Sequence, residues 1–195
     1  MSTVSAAAPR TGSVLADLLP ASRTKDIALV VGGAALTGIA AQIAVHIPGT
    51  PVPVTGQTFA ALLVGAGLGA GRGFLSLALY ALVGMAGVPW FANGDSGAGG
   101  ALFGYVLGLL LASTVVGALA RRGADRSVLR TAGTMVLGSA LVYAVGVPYL
   151  AASTGMSPSA AIAAGLTPFL LGDALKAALA MGLLPAAWRL AGRRG

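Results

Sequence analysis

The stretch from Gln57 to Val88, QTFAALLVGAGLGAGRGFLSLALYALVGMAGV, decides the fold. It holds two apolar runs, Gln57 to Leu68 and Phe74 to Val88, separated by Gly69, Gly71, Arg72 and Gly73. Read as one broken membrane span, it places Arg72 near mid-bilayer, at about 2.5 to 3.5 kcal/mol on insertion scales. That reading also sends Arg121, Arg122, Arg126 and Arg130 to the side opposite Arg23 and Lys25. Read as two short spans, it puts Arg72 in a loop on the same side as all of these. Charge parity therefore favours two spans.

Working outward, span 1 runs from about Ile27 to Ile47 and stops at Pro48, after which Gly49, Pro51 and Pro53 predict a rigid extended loop. Span 4 covers about Ala101 to Ala120, span 5 about Thr131 to Ala152, and span 6 Thr167 to Leu190, with Pro168 suited to a first helical turn. The expectation is an all-α membrane protein of six transmembrane helices with both termini cytoplasmic. Residues 1–26 form a cytoplasmic tail, 27–190 the membrane domain and 191–195 a basic cytoplasmic tail. With the amino terminus inside, Arg10, Arg23, Lys25, Arg72, Arg121, Arg122, Arg126, Arg130, Arg189, Arg193 and Arg194 all face the cytoplasm, and the three outer loops carry no lysine or arginine. Val14 to Leu19, a short apolar patch, suits a helical turn lying along the membrane surface.

Composition agrees. Of 195 residues, 56% are hydrophobic and 9% charged, with 30 glycines, so a water-soluble fold would lack polar surface. The net charge of +7 is a topology signal first and an attraction to anionic lipid second, and nucleic acid is not an expected partner. The absence of cysteine removes disulfides and thiolate sites, and a single histidine, His46, rules out a multi-histidine metal cage. No metal or cofactor is expected. There is no Walker A sequence, and Gly65-Ala66-Gly67-Leu68-Gly69-Ala70 follows an apolar helix rather than a strand, so it is not a dinucleotide fingerprint. Trp90, Phe91 and Tyr149 at outer ends and Trp188 at an inner end read as headgroup anchors; Trp90 also suits covering a ligand.

Eleven of the 12 basic residues are explained by the cytoplasmic side, leaving Lys176 inside span 6. Asp173, three residues earlier, shares its helix face and lies about 9 Å along the helix from Thr167. The pair thus faces a site open to the outer side. It is either an ion pair that fixes packing or a substrate or ion site; ionisable groups within spans generally mark the latter. Other polar residues gather on that side: Gln42 and His46 late in span 1, Thr55 and Gln57 in the following loop, and Asn93 after span 3. Gln57 is a helix cap or a ligand contact, and His46 an interfacial histidine. Small residues at spacings of four in span 1, Gly33, Thr37 and Ala41 with Ala34 and Gly38 beside them, serve packing inside the bundle or docking onto another membrane protein. Gly94-Asp95-Ser96-Gly97 resembles the serine motif of rhomboid intramembrane proteases, but Ser96 lies in a hydrophilic loop, and a base in span 1 is out of place for that family.

The residues that carry a broader resemblance are Ala41-Gln42-Ile43, Pro51-Val52-Pro53-Val54-Thr55-Gly56-Gln57-Thr58-Phe59, Tyr80 through Pro89, Gly104-Tyr105-Val106-Leu107-Gly108, Gly146-Val147-Pro148-Tyr149-Leu150, and Pro168-Phe169-Leu170-Leu171-Gly172-Asp173-Ala174-Leu175-Lys176. Over residues 15–190 the chain resembles the BioY family, biotin-binding S components of energy-coupling factor (ECF) transporters. The last segment is the most specific. Ala101-Leu102-Phe103-Gly104 departs from the Pro-Thr-Gly-Gly usual in that family. The resemblance implies a six-helix S-component bundle in the cytoplasmic membrane of a bacterium, capturing biotin from outside. It also implies a transmembrane coupling protein and ATP-binding cassette ATPases as partners, docked on the small-residue stripe of span 1. Alternatives are an S component for another vitamin and an intramembrane serine protease. The candidate ligand-binding residues are Asp173, Lys176, Asn93, Tyr105, Gln57, Thr55 and Trp90. Asp173 is expected to accept from the ureido N–H groups and Lys176 to donate to the carbonyl or carboxylate.

Overall fold

The computed structural model describes residues 12–192; Arg10, Arg193, Arg194 and the adjoining ends of both tails lie outside the described residues. Apolar runs bounded by glycine and proline become helices. Helix α1 (Arg23–Gln42) starts at Ser22, whose hydroxyl accepts from the Lys25 N–H at 3.1 Å. Helices α2 (Gln57–Leu68) and α3 (Ala70–Met85) meet at Gly69, whose φ of 83° only glycine adopts freely. The side chain of Gln57, at the start of α2, bonds Tyr80, late in α3, so the chain reverses at Gly69 and the two helices run antiparallel. They are therefore two short helices and not one broken rod. Helix α4 (Phe103–Arg121) packs against α2, α3 and α5 (Val128–Thr154), the last ending on left-handed Gly155.

The sixth apolar segment is itself broken. Helix α6 (Pro158–Gly165), capped by Ser157 and opened by Pro158, precedes a 3-10 turn (Thr167–Phe169) and helix α7 (Leu170–Gly192). The sequence reading placed α6 in a loop, because eight residues give too little periodicity to identify a helix. Four helical segments, α1, α4, α5 and the combined α6–α7 stretch, are long and apolar enough to cross a membrane, whereas α2 and α3 are shorter. The loop expected after span 1 closes as a hairpin: β1 (Ala44–Val45) pairs antiparallel with β2 (Val54–Thr55), in register Ala44 to Thr55 and Val45 to Val54.

One end of the bundle gathers charge. Arg72 bridges Asp17 at 2.8 Å and Asp26 at 2.9 Å, and Arg121 reaches Asp17 at 3.5 Å. The Val14 to Leu19 patch packs in part against the bundle. It forms a 3-10 turn (Leu15–Leu18) whose Val14 and Ala16 are buried in the main core, because Arg72 and Arg121 hold Asp17 under the bundle. Burial pushes the Asp17 carboxyl up, but hydrogen bonds from Arg72 and the Val14 N–H, with the charges of Arg121 and Arg72, hold it below the usual value. Trp188 is likewise not a headgroup anchor. It is 7% exposed, donates to Asp125 Oδ2 at 2.6 Å, and carries the Arg126 guanidinium 4.4 Å above its ring.

The small-residue stripe of α1 is spent inside the chain. Ala34 and Ala41 are at most 1% exposed, and Thr37 is buried with its hydroxyl on the Gly33 carbonyl. A Cβ at Gly33 would lie 2.6 Å from Ser76 Oγ, and one at Gly38 2.8 Å from the Trp90 ring. The docking expectation for Gly33, Ala34, Thr37, Gly38 and Ala41 is thereby corrected: α3 and Trp90 already cover them. The open face of α1 is Ile27, Val31, Ile39 and Ile43.

Candidate ligand-binding site

At the end opposite the charge cluster, α2, α4, α5 and α7 splay around a cavity. Close packing lower down makes the splay possible: Gly65 of α2 meets the Ser113 backbone of α4, and Gly117 meets Gly69 and Ala70. Higher up, large rings stand at the same seams. Phe91, Phe103, Tyr105, Tyr143 and Phe169 wall an aromatic recess there. Leu109 and Val142 line it further, and the β-hairpin contributes Val52, Pro53 and Thr55.

Polar groups are few. Lys176 reaches this cavity from α7, Gln57 and Thr58 from α2, and Asp95 from the loop after α3. Gln57 is 6% exposed, and its amide donates to the Tyr80 hydroxyl at 3.0 Å, which in turn donates to the Trp90 carbonyl at 3.2 Å. Gln57 therefore caps nothing with its side chain; it is a buried polar group fixed on the cavity wall. The Tyr105 hydroxyl donates to the Gly165 carbonyl at 2.8 Å and ties α4 to the end of α6. On the neighbouring strap, Thr50 donates to the Ala164 carbonyl at 2.5 Å.

The Asp173–Lys176 pair is real, with Nζ to Oδ1 at 3.1 Å and side chains 10% and 17% exposed. Its two members face different spaces. Lys176 lines the cavity, whereas Asp173 lines a second, largely apolar groove between α5, α6 and α7. The other oxygen of Asp173 accepts from the Tyr143 hydroxyl. Sequence reasoning passed over Tyr143, although the signal was there: a tyrosine deep in an apolar span needs a partner for its hydroxyl.

The structure brings Lys176, Gln57, Thr55 and Tyr105 together around one cavity, with Asp173 one hydrogen bond behind Lys176. Two expected residues stand apart. Asn93 is exposed in the turn Ala92–Gly94 with φ 64°, and does not line the cavity. Trp90 lies against Gly38, stacks 5.2 Å from Tyr80 and donates to the Tyr80 carbonyl at 3.0 Å, which makes it a packing element and neither a headgroup anchor nor a cover over the ligand space. Phe91, also expected at the headgroups, is 4% exposed in the core. Ser96 receives no base: its backbone N–H donates to Asp95, and among the described residues its hydroxyl makes no hydrogen bond to His46, which is exposed. Among the described residues no cluster of histidine, cysteine or carboxylates has the makings of a metal site.

Known proteins resemble this chain in sequence and in fold. A probable biotin transporter BioY of Pyrococcus horikoshii is 35% identical over 82% of this chain and 93% of its own length. The biotin transporter BioY2 of Lactococcus lactis subsp. cremoris is 35% identical over 79% and 85%. The crystal structure of an S-component for biotin from an ECF-type ABC transporter superposes with a TM-score of 0.75 at 21% identity, covering 88% of this chain and 94% of that one. The family model described as the BioY family matches residues 11–193, and the chain belongs to the BioY family.

Proposed function

We propose that this protein is the substrate-binding membrane subunit that captures biotin and imports it together with an ECF coupling protein and ABC ATPases. The observation that carries the reading is a lysine facing a mainly apolar, aromatic-walled cavity with few other polar groups, held there by a carboxylate. Biotin offers an apolar fused ring, a ureido group with one carbonyl and two N–H donors, and a carboxylate tail. The rings of Phe91, Phe103 and Phe169 suit the apolar part. Lys176 donates to the ureido carbonyl or to the carboxylate, while Asp173, which lines the groove rather than the cavity, holds the Lys176 ammonium in place instead of accepting from the ureido N–H groups. Gln57 and Thr55 offer further polar contacts along the same cavity. A BioY-type relative named for biotin at 35% identity over nearly its whole length supports the same ligand.

Placement in the membrane belongs to the same proposal. All six helical segments cross the bilayer, α2 and α3 as short spans, in the cytoplasmic membrane of a bacterium. The charged end, with Arg72, Arg121, Arg122, Arg126 and Arg130, lies in the cytoplasm with both termini, and the cavity opens outside. Calorimetric titration of purified protein with biotin tests the ligand. Saturable binding is expected, weakened more than tenfold by Asp173→Asn and by Lys176→Ala. Unchanged binding in both variants would sink the site, and saturable binding of another vitamin without biotin would sink the ligand.

A further inference from the structure

Among the described residues, Tyr143 is the one that lines both the cavity and the apolar groove outside it. Its ring stands on α5, 6.4 Å from Phe169, and its hydroxyl donates to Asp173 on α7. Asp173 in turn holds Lys176, whose ammonium faces the cavity. A carboxylate with one oxygen on Lys176 and the other on Tyr143 is fixed at the wall of the groove, where α5, α6 and α7 present mainly alanine, valine, leucine and isoleucine. Without the hydroxyl, the aspartate keeps a single side-chain partner, and the pair is free to rotate about α7 as a unit.

We infer that Tyr143 is a positioning residue for biotin capture, acting through Asp173 to aim Lys176 into the cavity while its ring partitions the cavity from the groove. The inference rests on the biotin reading above. Its reach is specific: the tyrosine sets the geometry of a charged pair it is not part of, across the α5–α7 seam. The loss on removing it must therefore depend on the Asp173 carboxylate that links Tyr143 to Lys176.

Four proteins test this by biotin titration: wild type, Tyr143→Phe, Asp173→Asn and the double variant. Phenylalanine keeps the ring and its packing, and the melting temperature without ligand provides the control for folding. The expected result is about a tenfold loss of biotin affinity for Tyr143→Phe, with the ligand-free melting temperature within a few degrees of wild type, and less than a twofold further loss when Tyr143→Phe is added to Asp173→Asn. Unchanged affinity in Tyr143→Phe overturns the inference. So does a full tenfold loss in the Asp173→Asn background, or a loss that only follows a collapsed melting temperature, because either assigns Tyr143 to packing. If wild type binds no biotin, the function proposed above fails first, a result separable from all of these.

Discussion

The two ends of the bundle are held by different chemistry. At the charged end, full charges meet: Arg72 between Asp17 and Asp26, and Arg121 on Asp17. At the cavity end, neutral donors reach backbone carbonyls: Tyr105 to Gly165, Tyr149 to Ala98, Thr50 to Ala164, Gln42 to Trp90. The seams differ in the same way. Toward the charged end, Gly65 and Gly117 meet bare backbone, whereas toward the cavity end glycine also receives aromatic rings, Tyr105 on Gly146 and Phe91 on Gly84, that line the open space. The difference teaches how one small bundle is both rigid and hollow. Neutral hydrogen bonds along the loops fix the rim without placing charge in the cavity, so that Lys176 and Asp95 remain the ionisable groups lining it apart from tyrosine hydroxyls.

The sharpest way to break this division is at the glycine seam. Gly65→Ala forces a methyl onto the Ser113 backbone, so a loss of about 3 kcal/mol is expected, read as a lower melting temperature in detergent. Gly67→Ala, two residues away with nothing within 4 Å, should instead leave stability unchanged or raise it by up to about 1 kcal/mol. If both variants lose equally, the seam is not what closes this half.

Removing the central cation of the charged end comes next. Arg72→Ala strands Asp17 and Asp26, which are 25% and 48% exposed, so the cost is reduced by solvent to about 2 kcal/mol. Biotin affinity of the folded fraction should stay within about twofold of wild type, since Arg72 and the cavity occupy opposite ends. A large affinity loss would show that the ends are coupled.

Asp125 supplies a pH test. Burial pushes its carboxyl above the usual 3.8, only partly opposed by the Trp188 hydrogen bond, its own backbone N–H and the Arg126 charge. A carboxyl with a raised folded-state value contributes stability that is complete below about 3.8 and is lost as pH rises through the folded value. Asp125→Asn, which keeps an acceptor for Trp188 and does not ionise, should flatten that decline in melting temperature; an unchanged slope would reject the assignment. Asp17 has the opposite sign: its contribution is present above 3.8 and lost as pH falls through its lowered folded value. The smallest effect is expected at Asn93. Asn93→Gly satisfies its φ of 64° and removes an exposed side chain, so biotin affinity should remain within about twofold of wild type.

Much of the fold was legible because the bilayer and the backbone impose local rules. Apolar runs, Gly69 and the prolines bounded the helices to within a few residues, and Lys176 with Asp173 stood out because a charge within an apolar span is costly wherever the span ends up. Gln57 and Thr55 were readable as polar groups beside a span end by the same positional logic. Which way a side chain faces was not local. Trp90 and Trp188 have the composition of headgroup anchors, and only the positions of Gly38 and Asp125 turn them inward. The α1 stripe was consistent with docking or packing until α3 was seen against it.

The sequence by itself determined that this chain is helical, where most of its breaks fall, and that one charged pair lies within its apolar segments. Hydropathy and charge act residue by residue, so they are readable without coordinates. The tertiary structure alone decided that Lys176 looks into the cavity and Asp173 out of it, with Tyr143 between them. Helix spacing puts the two charges on one face, but which space each one meets depends on how α5 and α6 pack against α7, a relation between segments that no single stretch encodes.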